Sequence, residues 1–205
     1  RQMCIRDRPK DVHERYGIVK GKAIVLGVAS VWDARKGLND FYELARRLSP
    51  DESAIVIVGQ LTEDAKKIEN GCQMVFVDRT QNALELAQLY SSAVVFLNPT
   101  YQDNYPTTNL EALACGTPVI TYRTGGSPEA VDENTGVVVE QGNVDGLEKA
   151  VYRLSSENNV KACRLKAEQE FDKIKAFNSY ILLYNRFLCI GGVKADPRSV
   201  KCLEQ

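Results

Sequence analysis

Two charged stretches carry the residue types that could do chemistry. In SVWDARKGL (30–38), Arg35 and Lys36 stand just before Gly37 and an apolar helical pattern. Two cations at a helix N-terminus oppose the positive end of its dipole, so stability alone would place acids there. A helix start with Arg and Lys suits a diphosphate, which accepts from cations and backbone N–H groups together. One close cation–phosphate contact at intermediate dielectric is worth about 4 kcal/mol before desolvation. Alone, the pair also fits a solvated basic turn. In TYQDNYPTTNLEALACGTP (100–118), Asp103 and Glu111 are eight positions apart, with Thr107, Thr108 and Asn109 between them at a helix start. There the first backbone N–H groups have no intrahelical partner. The structural alternative is a capping box at Thr108-x-x-Glu111 and an ordinary turn at Asp103-Asn104.

The elements that position these stretches follow from periodicity. Short apolar runs at 23–29, 54–59, 74–77, 94–98, 118–122 and 137–139 read as strands. Helical patterns read at 37–48, 62–69, 81–91, 108–115, 144–155, 159–171 and 177–189. Leu38, Phe41, Leu44, Ala45 and Leu48 share one helical face. Ser127 reads as an N-cap with Pro128 at N1. Strands that are apolar throughout, alternating with helices, imply a parallel sheet covered on both faces. The expected fold is therefore α/β: a Rossmann-like, doubly wound, six-stranded parallel sheet in the order 3-2-1-4-5-6, followed by C-terminal helices. Its crevice lies outside the carboxyl ends of strands 1 and 4, which brings the loops at 30–37 and 99–108 face to face.

Composition narrows the function classes. Lys+Arg is 26 against 27 Asp+Glu in 205 residues, which leaves no electrostatic footprint for nucleic acid. No apolar run reaches the roughly 18 residues of a membrane span, and the first ten residues hold no signal-peptide core. The six cysteines (4, 72, 115, 163, 189 and 202) include no CxxC and read as reduced thiols, which points to the cytoplasm. The one histidine, His13, sits in a charged leader and reads as a surface residue; a histidine-based site would need more. The chain begins with Arg, and MCIRDR (3–8) resembles translated adapter sequence. Residues 1–20 are accordingly read as a leader, 21–190 as the domain and 191–205 as a tail.

VASVWDARKGL, NPTYQDNYPTTNLEALACGTPVI and TYRTGGSPEAV together resemble the nucleotide-sugar-binding half of a retaining GT-B glycosyltransferase. The family is glycosyltransferase family 4, or glycosyl transferases group 1. The resemblance covers about residues 20–190, and PTTNLEALACGTPVITY is similar to a branch that includes surface-polysaccharide transferases. The resemblance implies that Asp103 contacts the donor sugar and Glu111 accepts from the ribose hydroxyls. Lys36, helped by Arg35, would hold the diphosphate and stabilise the leaving group, with Thr107, Thr108 and Asn109 cradling phosphate. Arg79 and Thr80 would lie near the base. Asp103 is one methylene shorter than the family's usual Glu, Pro106 removes a backbone donor where the family has Gly, and Ser30 stands where many members carry Arg. No Asp-x-Asp occurs, so no metal or other cofactor is expected.

The resemblance further implies that an acceptor site, for a glycan, lipid or other molecule, belongs to an N-terminal domain. The final helix, with Ile181, Leu182, Tyr184, Phe187 and Leu188 on its apolar face, would cross back onto that domain, and the full enzyme would associate peripherally with a membrane. Gly125-Gly126-Ser127-Pro128-Glu129 reads as a helix start, and Trp32 and Tyr101 as packing residues. Two other functions fit the same shape: a nucleotide-sugar 2-epimerase-like enzyme, which would need further acids or histidines at the cleft, and a non-catalytic Rossmann-like nucleotide-binding module. The absence of G-x-G-x-x-G after strand 1 disfavours a dinucleotide cofactor.

Overall fold

The computed structural model describes residues 12–62 and 71–190. Six strands, β1 (Ala23–Trp32), β2 (Ser53–Leu61), β3 (Gln73–Val77), β4 (Val95–Asn98), β5 (Val119–Tyr122) and β6 (Gly136–Val139), form one sheet. Its order is β3-β2-β1-β4-β5-β6 and every pairing is parallel, as the apolar runs imply. The central strands are sealed: Val25, Leu26, Ile55, Val56, Val95 and Phe96 have no exposed surface. Each such side chain contributes about 1.5–3 kcal/mol by leaving water.

The helices are α1 (Val12–Arg15), α2 (Leu38–Arg47), α3 (Ala83–Ser92), α4 (Thr107–Ala114), α5 (Val144–Ser156), α6 (Val160–Glu170) and α7 (Lys173–Ile190). The helix expected at 62–69 falls almost wholly outside the described residues, as do MCIRDR and the tail. Phe41, Leu44, Ala45 and Leu48 are buried, so α2 packs the face its spacing implied. Asn82 caps α3 by accepting from the Glu85 N–H at 2.9 Å.

Two local features exceed the sequence reading. β1 runs on to Trp32 because one extra residue bulges between Val28 and Val31. Trp32 packs edge-to-face on Phe41 and donates its indole N–H to the Val58 carbonyl at 2.9 Å. Residues 12–18, within the stretch read as leader, also pack: Val12 and Ile18 are buried, and the Tyr16 hydroxyl donates to Glu85 at 2.6 Å. His13 Nε2 lies 3.0 Å from the Lys22 carbonyl.

The described residues divide into two compact units, one up to Ala167 and one from Glu168. The first carries the sheet. Of the second, α7 presents Leu182, Tyr184 and Phe187 as exposed side chains, together with Ile174, Phe177 and Tyr180.

Candidate functional site

The first wall of the site is the turn that follows the bulge in β1. Ala34–Lys36 form one 3-10 turn, capped by Asp33. One Asp33 oxygen accepts from the Arg35 and Lys36 N–H groups at 2.9 and 3.3 Å. The other accepts from Arg35 Nε and Nη2 at 2.9 and 2.7 Å. These bonds hold the Asp33 carboxyl below its ordinary range. The basic turn therefore contains its own acid, and Arg35 is engaged locally on an exposed surface. Sequence reasoning missed Asp33, although an Asp two residues before a basic pair is a recognisable turn-capping signal.

The turn is stitched to the loop after β4. The Arg35 carbonyl accepts from the Tyr101 N–H at 2.7 Å and the Thr100 hydroxyl at 3.2 Å. Gly37, at φ 73°, lets the two backbones touch: a Cβ there would stand 2.2 Å from the Pro99 carbonyl oxygen. Between these loops Lys36 Nζ donates to Asp103 Oδ2 at 2.7 Å, with side chains 29% and 18% exposed. The two chemistry-bearing stretches thus meet over the crevice between β1 and β4.

The Asp103 loop is supported from three sides. The Tyr101 hydroxyl donates to Asp40 at 3.3 Å and its ring packs edge-on against Tyr122. Burial raises the Asp40 carboxyl above its usual range, and the Tyr101 and Tyr122 hydroxyls that face it partly offset this. Behind the loop, Gly125 (φ 48°) leaves room for the Asp103 carbonyl, which would lie 2.0 Å from a Cβ. The Gly126 N–H donates to the Asn104 carbonyl at 2.7 Å.

A buried amide network fixes the second wall, α4. Asn98 Nδ2 donates to Asn109 Oδ1 at 2.9 Å, and Asn109 Nδ2 donates to the Ser127 carbonyl and hydroxyl at 3.3 Å. Thr121 donates to the Asn98 carbonyl at 3.0 Å and pairs with the Ser127 hydroxyl at 2.8 Å. This corrects two expectations. Asn109 is wholly buried and its side chain braces the site from beneath. Ser127 is no N-cap: it lies inside the 3-10 turn Ser127–Ala130, whose cap is Gly126.

The capping box at Thr108 and Glu111 does not form either, because Pro106 occupies the N-cap of α4. Thr107 is exposed and Thr108 half-buried at the helix start. Glu111 instead accepts from the Tyr90 hydroxyl at 3.1 Å. Burial raises the Glu111 carboxyl above its usual range and the Tyr90 bond partly offsets this.

A cleft of about 430 Å³ opens at the carboxyl ends of β1, β2 and β3. Ser30, Arg79, Thr80 and Thr108 line it, together with Gln60 and Asp78, which sequence reasoning did not single out. Lys36, Asp103 and Glu111 are not part of its lining. Lys36 and Asp103 therefore form an ion-paired junction, Ser30, Arg79, Thr80 and Thr108 line a cleft, and Glu111 belongs to neither. No cluster of three metal-ligating side chains occurs among the described residues. Nor, among them, is any helix long and apolar enough to cross a membrane. Cys72 and Cys163 are buried, and burial pushes their thiols up to about 11 and about 12.

Comparison with known proteins agrees with the fold. The chain is similar to a sucrose-phosphate synthase from Thermosynechococcus elongatus, with a TM-score of 0.71 at 23% identity, covering 87% of this chain and 48% of that one. It is also similar to the C-terminal domain of a glycosyl transferase group 1 family protein from Francisella tularensis, with a TM-score of 0.67 at 16% identity, over 83% and 95% of the two chains. In sequence it is 33% identical over 155 residues to a GDP-mannose-dependent alpha-(1-6)-phosphatidylinositol monomannoside mannosyltransferase from Mycolicibacterium smegmatis, covering 68% of this chain and 40% of the relative. The chain spans less than half the length of the curated relatives it matches. The family model for glycosyl transferases group 1 matches residues 10–173, and the chain belongs to that family.

Proposed function

We propose that this domain binds the nucleoside diphosphate sugar donor of a glycosyltransferase. The observation that carries the reading is the Lys36–Asp103 junction between the loops after β1 and β4. Lys36 grips the diphosphate, and Asp103 is within reach of the sugar that hangs from it. Glu111, a half-buried carboxylate at α4, accepts from the ribose hydroxyls. The neighbouring cleft, with Arg79, Thr80 and Ser30 on its walls, takes the base. The first N–H groups of α4, at Thr107 and Thr108, add donors for phosphate.

The mechanism follows from charge. Breaking the bond between sugar and phosphate leaves new negative charge on the nucleoside diphosphate. Lys36, once released from Asp103, and the helix N–H groups stabilise that charge as it forms and so lower the barrier. Transfer needs the acceptor, a glycan, lipid or other molecule, held by a further domain of the whole protein. Work on the cytoplasmic face of a membrane, without a metal, belongs to the same reading. Titration calorimetry with UDP, GDP, UDP-glucose and GDP-mannose tests it. The domain is expected to bind at least one pair. Folded protein that binds none of the four would refute the donor-site reading.

A further inference from the structure

Lys36 and Asp103 are assigned above to two different parts of one donor, yet they are bonded to each other. The pair is long-range and mostly shielded, with side chains 29% and 18% exposed. The neighbouring cation is already engaged, because Arg35 donates to Asp33 through two N–H···O bonds. Nor can Asp103 retreat by moving its backbone. Its carbonyl rests against Gly125, the Asn104 carbonyl is bonded to Gly126, and the Tyr101 N–H is bonded to the Arg35 carbonyl. Exchange at this pair is therefore left to the two side chains, the Asp103 carboxylate and the Lys36 ammonium.

We infer that Asp103 competes with diphosphate for Lys36, and that this competition makes the site prefer sugar-bearing nucleotides over the bare nucleoside diphosphate. The inference rests on the donor-site reading and concerns its selectivity. A diphosphate arriving at Lys36 meets a cation already neutralised by a carboxylate. Either it shares the ammonium with Asp103, with like charges close together, or it displaces a shielded carboxylate that has lost its partner. Both cost free energy. A nucleotide sugar lowers that cost, because its hydroxyls donate to the carboxylate that has been turned away. The nucleoside diphosphate left after transfer has no such hydroxyls at that position. The same acid that holds the donor therefore helps to expel the product.

The test is calorimetry on the folded chain, using the pair, UDP with UDP-glucose or GDP with GDP-mannose, that the wild type binds. Asp103→Asn is nearly isosteric and removes the competing charge. It is expected to tighten the bare diphosphate roughly tenfold while not tightening the nucleotide sugar, so the preference for the sugar form shrinks or reverses. Asp103→Glu keeps the charge and is expected to keep the preference. In the Lys36→Ala background the gain from Asp103→Asn is expected to vanish. Unchanged or weaker diphosphate binding by Asp103→Asn overturns the inference while leaving the donor site standing. A gain that persists without Lys36 also overturns it, since simple repulsion then suffices. Should Asp103→Asn fail to fold, Asp103→Ser carries the same comparison. If the wild type binds neither member of either pair, the donor-site reading falls and this inference falls with it.

Discussion

The Lys36–Asp103 junction and the Asn98–Asn109–Thr121–Ser127 network both tie the loops of the crevice to the sheet, by opposite means. The network is sealed: Asn109, Thr121 and Ser127 have no exposed surface, and its bonds are neutral amide and hydroxyl contacts. The junction is charged, and both partners keep a share of water. Buried neutral polar groups hold a geometry because leaving one unpaired is costly. Partly solvated charges change partners at a smaller cost than sealed groups do. Rigidity therefore lies beneath the crevice and exchangeable charge lies at its mouth, which is the distribution a ligand site requires.

The sharpest way to break this contrast is to disturb the network. Asn109→Ala strands the Asn98 amide and the Ser127 carbonyl in the interior and is expected to cost about 3 kcal/mol in urea denaturation. Nucleotide binding should weaken with it, since the start of α4 loses its anchor. At the mouth the order reverses. Lys36→Ala should cost less than about 1 kcal/mol of stability, yet weaken the bound nucleotide by about 2 kcal/mol, roughly thirtyfold. Equal losses in both measurements would erase the distinction between the two regions.

Asp40 probes the border between them. Burial raises its carboxyl above the usual value, so the folded state binds this proton more tightly than the unfolded chain does. The associated stability is present below the unfolded carboxyl value and is lost as pH rises through the folded one. Asp40→Asn removes that loss. Thermal melts should favour the variant more at pH 7 than at pH 4. The smallest effect is expected from Arg35→Ala. Asp33 already engages that guanidinium at the surface, so nucleotide affinity should change less than about threefold by calorimetry. A loss as large as that of Lys36→Ala would mean that both cations serve the ligand.

Particular residues show why some of the site was legible and some was not. The strand order was legible because a sheet covered on both faces demands apolar runs such as AIVLGVA and AIVIVG, and right-handed crossovers leave few orders to choose from. That order alone puts the Arg35-Lys36 turn opposite the Asp103 loop. Asn109 was misread because a polar residue in the first turn of a helix looks the same whether it faces a ligand or the interior. Its burial depends on Asn98 and Ser127, which reach it from two other elements. Glu111 was open to a capping role because Thr108-x-x-Glu111 fits that local pattern, and Pro106 occupying the cap decided otherwise. Asp33 fits a turn cap by its place before Arg35, but its hold on the Arg35 guanidinium is decided only once the turn has folded.

Periodicity and crossover handedness, both encoded along the chain, were thus enough to specify the sheet, its crevice and the charged loops that border it. Which cation remains exchangeable, which amide is sealed and which acid meets Lys36 depended on partners far away along the polypeptide. Hydrogen bonds and ion pairs act over a few ångströms, so their pairing is settled only when packing brings those partners within reach.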